Sequence, residues 1–433
     1  MIGYYFGLAL HSLKRNRVLT ALMILAVGLG IGASMTTLTV LHVLSGDPLP
    51  GKSDRVFRVQ LDAEAMQGYK PGGEPLEHLT RLDAETLLAQ RKAQRQAMMS
   101  GGAARVDAGI AGRAPQQTDV RFTTADFFPM FQVPLRHGRT WTPEEDQAHG
   151  RLAVISDELN SALFAGEDST GRSIRVNGQD LRIIGVLGPW RPIPKFYDLN
   201  TGRFRAVEGL FLPFTTARDL KISFQGSSTC WGEGGTDMYD VNAPCAWLQY
   251  WVELAAPADR ADYLRYLDNY SAQQREMGRY ARPVNVRLRS VTDYLLYKQV
   301  IPSDVRLQVW LAFGFLAVCL VNTIALLLAT FLRRAPEISL RRALGASRLD
   351  IFRQCLVEAG TVGIAGGVAG LCLALVGLWA IRQQPASYAA LAHLDLKMLL
   401  MTLGLALVSS VLAGLLPAWQ AMKFEPASQL KSE

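Results

Sequence analysis

Val18 to Leu44 runs for 27 residues without a formal charge. Coiled as a helix, that run is about 40 Å long, against a bilayer hydrocarbon core about 30 Å thick. Lipid offers the backbone no hydrogen-bond partners, so a run of this kind crosses as a helix. It is too long for the apolar region of a cleaved signal peptide, roughly 7–15 residues. Three further apolar runs follow at Leu307–Leu332, Leu356–Ile381 and Met398–Leu416, the second of these with Glu358 near its start. Four crossings of this spacing predict an α-helical membrane protein with one large extramembrane domain, residues 45–306, and a short loop at 382–397 on the same side.

Charge placement orients the chain. The formal net charge is +7. The excess lies beside the apolar runs, at Lys14, Arg15 and Arg17 and among six arginines between 333 and 358, while residues 45–306 are neutral overall. Basic flanks stay cytoplasmic, so 45–306 faces the opposite side. A nucleic-acid binder would gather its charge on one folded patch, which argues against that class. Residues 1–17, aromatic at first and then basic, suit an amphipathic helix in the membrane interface.

The polar stretch Arg333–Arg348 separates the second and third spans. Pro336 suits the first position of a short helix, where its missing N–H costs nothing. Glu337 complements the positive end of the helix dipole, and Arg341 and Arg342 the negative end. Gly345 accepts the left-handed conformation that ends a helix. Ser347 and Asp350 have the spacing of a capping box opening the next one. Six arginines explain orientation but not Ile338, Leu340 and Leu344 on the same surface helix. Exposed apolar side chains there point to docking of a cytosolic partner.

The string Glu337-Ile338-Ser339-Leu340-Arg341-Arg342-Ala343-Leu344-Gly345-Ala346 resembles the coupling-helix loop of MacB-like and FtsX-like (type VII, mechanotransmission) ABC transporter permeases, with Ser339 where that family carries a smaller residue. Further similarities lie at Phe122–Phe128, Gly138-Arg139, Ala153–Ser156, Gly171–Ile174 and Ile184–Val186, and in the tail at Leu416–Ala421 and Glu425-Pro426-Ala427. The resemblance implies an α+β periplasmic domain in which a porter-type subdomain, about 51–115 and 246–300, is split by a β-rich insert, about 116–245. It implies docking on a separate cytosolic ATPase dimer through residues 337–346, without a fused ATPase domain. ATP and Mg would then be held by that partner, with no cofactor or metal on this chain. A second permease copy or paralogue and a periplasmic adaptor are the other implied partners, and the bacterial inner membrane the implied location. Export or extraction of a peptide, drug or lipoprotein is the implied function, with regulation of a periplasmic partner such as a cell-wall hydrolase as the alternative.

Residue patterns refine this picture. Strands are expected near 55–62, 117–123, 151–156, 173–177, 181–187, 247–254 and 284–288, with helices at Pro75–Met99 and Ala258–Met277. Asn177-Gly178 between alternating runs signals a hairpin. Cys230 and Cys245 lie in the outer domain, where an oxidising compartment lets them pair as a disulfide closing about 15 residues. Gly28 with Gly32, Gly363 with Gly367, and Gly366 with Gly370 have the GxxxG spacing of close helix packing. Gly46–Ser53 matches GxxxxGK(S/T), yet a nucleotide loop follows a strand and opens a helix, and this one follows a membrane span and precedes a strand. Catalytic motifs are missing, so the chain is expected to be no enzyme. Glu358 is expected to pair with an arginine or reach the interface rather than relay protons.

Overall fold

The computed structural model describes residues 17–110, 114–232, 237–300, 303–383 and 396–423. The expected interfacial helix at 1–17 lies outside them except for Arg17, and so do most of the 382–397 loop and the end of the tail. The chain divides into two compact units, residues 46–300 and the remainder on either side.

The described residues of 46–300 build thirteen strands: β1 (Val56–Leu61), β2 (Leu79–Thr80), β3 (Arg95–Asp107), β4 (Gln116–Thr123), β5 (Leu135–Gly138), β6 (Leu152–Ile155), β7 (Ser173–Val176), β8 (Gln179–Leu187), β9 (Leu210–Pro213), β10 (Ser223–Gln225), β11 (Thr229–Cys230), β12 (Cys245–Glu253) and β13 (Val286–Ser290). The main order is β13-β1-β12-β3-β4-β9-β6-β8-β5. β1 lies antiparallel between β12 and β13, so the two ends of the domain sequence pair with each other. β12 is buried along its whole length, and its Trp247, Tyr250 and Trp251 anchor the core. Asn177 and Gly178 take φ values of 48° and 84° and join β7 to β8 as a tight hairpin. Cys230 and Cys245 are bonded, tying β11 to β12.

The helix expected at Pro75–Met99 is corrected. Only Arg81–Gln90 is helical; the Thr80 side chain caps it by accepting from the Asp83 N–H, and Arg91 ends it in the left-handed region. Arg95–Asp107 is β3, a strand of 13 residues. Leu, Gln and Arg favour helix locally, but burial between β12 and β4 overrides that preference. Gly102 shows the packing reason, since a methyl group there would stand 2.6 Å from the Ser223 carbonyl. Because β3 pairs with β12, β4, β7 and β10, the sheet continues across residue 115, where the insert was expected to begin.

The other unit holds α1 (Arg17–Ser45), α2 (Ser303–Arg333), α3 (Ala335–Ala343), α4 (Arg348–Arg382) and α5 (Leu396–Ala421). All but α3 are long and apolar enough to cross a membrane. α4 starts eight residues before the apolar run, because Ser347 and Asp350 form the capping box in its polar flank. α5 likewise continues past Leu416 to Ala421, with Pro417 inside it. α4 carries glycines on two faces. Methyl groups on Gly28 and Gly32 of α1 would come within 3.3 Å and 3.2 Å of the Gly366 and Gly370 carbonyls. On the other face, a methyl group on Gly363 would stand 2.0 Å from Ser410 Cβ of α5, and one on Gly367 2.6 Å from Ala406 Cβ.

Candidate functional site

α3 has a face turned inward at i, i+3, i+4 spacing: Ala335, Ile338 and Ser339 are buried. Ile338 packs in a cluster with Leu327 and Phe331 of α2 and Ile351 and Cys355 of α4. The expectation that Ile338 serves a partner is therefore corrected; it holds α3 to its own helices. Leu340 and Leu344 differ, at 61% and 80% exposure, and Leu349 at the start of α4 joins them at 52%. Leu349 escaped the sequence reading because it lies beyond the helix stop. Ala343 and Gly345 are also exposed, while Ala346 packs partly against the inner cluster.

Charged groups fix α3 from its amino end. Arg334, the residue before the helix, donates to both carboxylate oxygens of Glu358 on α4 at 2.8 and 3.0 Å. Glu358 is buried, and the opposite charge with two hydrogen bonds offsets the cost of removing its carboxylate from water. Arg341 pairs with Glu337 at 2.8 Å and donates to Gln354 of α4 at 3.0 Å. Pro336 occupies the second helical position, with Ala335 taking the first. Gly345 closes the far end at φ +104°, a conformation that residues with a Cβ rarely adopt. The arrangement is a small platform with an anchored inner face and a leucine-bearing outer face.

The GxxxxGK(S/T) match is not a nucleotide loop. Lys52 donates to the Pro129 carbonyl at 3.0 Å and pairs with Glu253 at 2.9 Å. Ser53 is buried and donates to Leu49 and Asp47, and the segment runs into β1 rather than a helix. Among the described residues, no cluster of three or more metal-ligating side chains occurs.

A MacB-like periplasmic core domain matches residues 20–270, and an FtsX-like permease C-terminal domain matches 309–426. The chain belongs to the MacB-like and FtsX-like permease family. It is 22% identical to the macrolide export ATP-binding/permease protein MacB of Marinobacter nauticus, over 98% of this chain and 60% of that one. It is 23% identical to the pyoverdine export ATP-binding/permease protein PvdT of Pseudomonas aeruginosa, over 96% of this chain and 57% of that one. The chain thus spans about three fifths of the length of these curated relatives. The crystal structure of the periplasmic region of MacB from Actinobacillus actinomycetemcomitans aligns at a TM-score of 0.37 with 12% identity, covering 60% of this chain and 98% of that one.

In this MacB-like permease the first matched region takes in the first membrane helix with most of the periplasmic α+β domain, and the second covers the other three membrane helices. One feature of the periplasmic domain escaped the sequence reading. Arg121 of β4 is wholly buried, pairs with Asp198 and Glu208, and donates to Gln249 of β12 at 2.9 Å. Lys195 and Tyr197 also donate to Glu208, at 2.7 and 2.9 Å. Burial opposes ionisation of Glu208, but Arg121 and Lys195 outweigh it and hold its carboxyl down at about 2. Asp198 is depressed in the same way, and burial pushes neighbouring His78 down to about 3. The cluster pins the segment between β8 and β9 onto the sheet.

Proposed function

We propose that this permease couples ATP hydrolysis by a separate cytosolic ATPase dimer to movements of its periplasmic domain, in the bacterial inner membrane. α3 is the docking element. The supporting observation is the pair Leu340 and Leu344, exposed on a helix whose opposite face is fixed by Ile338 and the Arg334–Glu358 pair. Apolar side chains held rigidly in a polar flank suit a groove on a partner, because little ordering entropy remains to be lost on binding. ATP and Mg belong to the ATPase. A second permease, as a copy or a paralogue, completes the membrane part, and a periplasmic adaptor extends it. Macrolide and pyoverdine exporters among the relatives support export or extraction of a drug, peptide or lipoprotein. The test is Leu344→Asp in affinity-tagged protein purified from native membranes. The ATPase should copurify with the parent chain and be lost from the variant, since a charge without a partner is costly in an apolar groove. Retention of the ATPase by Leu344→Asp would sink the docking role of α3.

A further inference from the structure

We propose that the cleft beyond the carboxyl ends of β4 and β9 binds a small organic ammonium ion. β4 and β9 are parallel neighbours, and Thr124–Asp126 and Phe214-Thr215 continue directly from them into the cleft wall. The cavity measures about 450 Å³, at the small end of the roughly 300–1,000 Å³ typical of ligand sites. Leu88, Met98 and Phe214 supply an apolar lining.

The polar groups select charge. Glu85, Asp126 and Asp146 line the cleft beside one cation, Arg91. Glu85 is already paired with Arg81 at 2.7 Å. With Arg81 counted, three carboxylates still outnumber two guanidiniums. Asp146 is buried and accepts from the Thr215 N–H and hydroxyl at 3.1 and 2.7 Å, and burial raises its carboxyl. An arriving cation would offset that cost of burial. Asp126 accepts from the Gln96 N–H through Oδ2 at 2.9 Å. The carboxylate excess still leaves the lining short of donors, so a ligand has to bring donors, a positive charge and an apolar body. A protonated primary amine on a compact hydrocarbon has all three. Binding of this kind does not depend on the transport reading or on α3.

The experiment titrates the full chain in detergent with 2-phenylethylammonium chloride at pH 7, followed by calorimetry, with neutral 2-phenylethanol as the control. One saturable site for the amine is expected, with the alcohol at least tenfold weaker. Ala89→Trp and Gln147→Trp change exposed positions on opposite rims of the cleft and fill it. Each should abolish binding while leaving the thermal unfolding midpoint unchanged. Glu85→Gln should weaken it severalfold. Absence of saturable binding, equal affinity for amine and alcohol, or binding untouched by both tryptophans overturns the proposal. The docking role of α3 stands or falls separately, by the copurification described above.

Discussion

The periplasmic and membrane units are held together by opposite means. In the periplasmic unit large side chains fill the space. Phe127, Phe131, Phe196, Tyr197 and Trp251 stack edge to face at ring separations of 5.0–6.0 Å, next to the buried charges around Arg121. In the membrane unit α4 meets its neighbours through Gly363, Gly366, Gly367 and Gly370, where side chains are nearly missing. Water drives apolar bulk together, so a domain in water gains from large rings. Lipid tails are as apolar as leucine, so helices in lipid gain mainly from close approach of backbones. The first strategy gives one deep, directional core. The second gives flat contacts between helices.

The largest expected effect tests the deep core. Arg121→Met leaves Asp198 and Glu208 buried without their main cation, and should lower the unfolding free energy of the periplasmic unit by about 3–5 kcal/mol. Urea unfolding followed by tryptophan fluorescence measures it. If the loss is negligible, the charges are not what fixes the segment between β8 and β9. The same cluster sets an acid limit. The folded-state values of Glu208 and Asp198 lie below their ordinary ones, so their contribution is complete above about pH 4.5 and is lost as the pH falls toward about 2. The urea midpoint of the parent chain should therefore fall over that window, and that of Arg121→Met should fall less.

The flat contacts are tested next. Gly363→Leu forces α4 and α5 apart and should cost about 1–3 kcal/mol, as overpacking does. Gly360→Ala, whose added methyl group meets nothing within 4 Å, should stay within about 0.5 kcal/mol. Thermal unfolding in detergent by circular dichroism separates them; similar midpoints would mean that α4 and α5 are not closely packed. Lys52→Ala comes next in size. Glu253 keeps Arg95 at 2.8 Å, so a loss of about 1 kcal/mol in the urea experiment is expected, with ATP turnover of the purified complex unchanged. Loss of turnover would return that loop to nucleotide binding. Smallest of all, Leu344→Asp should change the unfolding free energy by no more than about 0.5 kcal/mol, since its side chain touches little within the chain. A larger shift would show Leu344 to be part of the fold instead of a docking surface.

What the sequence disclosed follows from the range of each interaction. The four membrane helices were legible because length and lack of charge are local properties. So were the hairpin at Asn177-Gly178 and the capping box at Ser347. β3 was not, because its amino-terminal half carries Gln, Arg and Met, and only its burial between β12 and β4 makes it a strand; Gly101-Gly102 was the available clue. Arg121 alternates with Val120 and Phe122, which reads as an outward position. Its partners lie 77 to 128 residues away, and β4 is covered on both faces there. Ile338 was misassigned for a related reason. Helical spacing grouped three apolar residues on one short helix, but only the tertiary contacts of α2 and α4 divide them into an inner face and an outer one.

The pairing of Arg334 with Glu358 has a mechanical meaning. α3 is clamped at its amino end to a helix that spans the membrane, and its other end runs into a glycine turn. Leu344 lies ten residues from the clamp, about 15 Å at 1.5 Å per residue. Between them Ile338 packs into the inner cluster and Arg341 reaches Gln354 of α4, so the helix is tied to α4 at more than one point along its length. On α4 the clamp at Glu358 lies five residues before Gly363, the first of its tightly packed glycines.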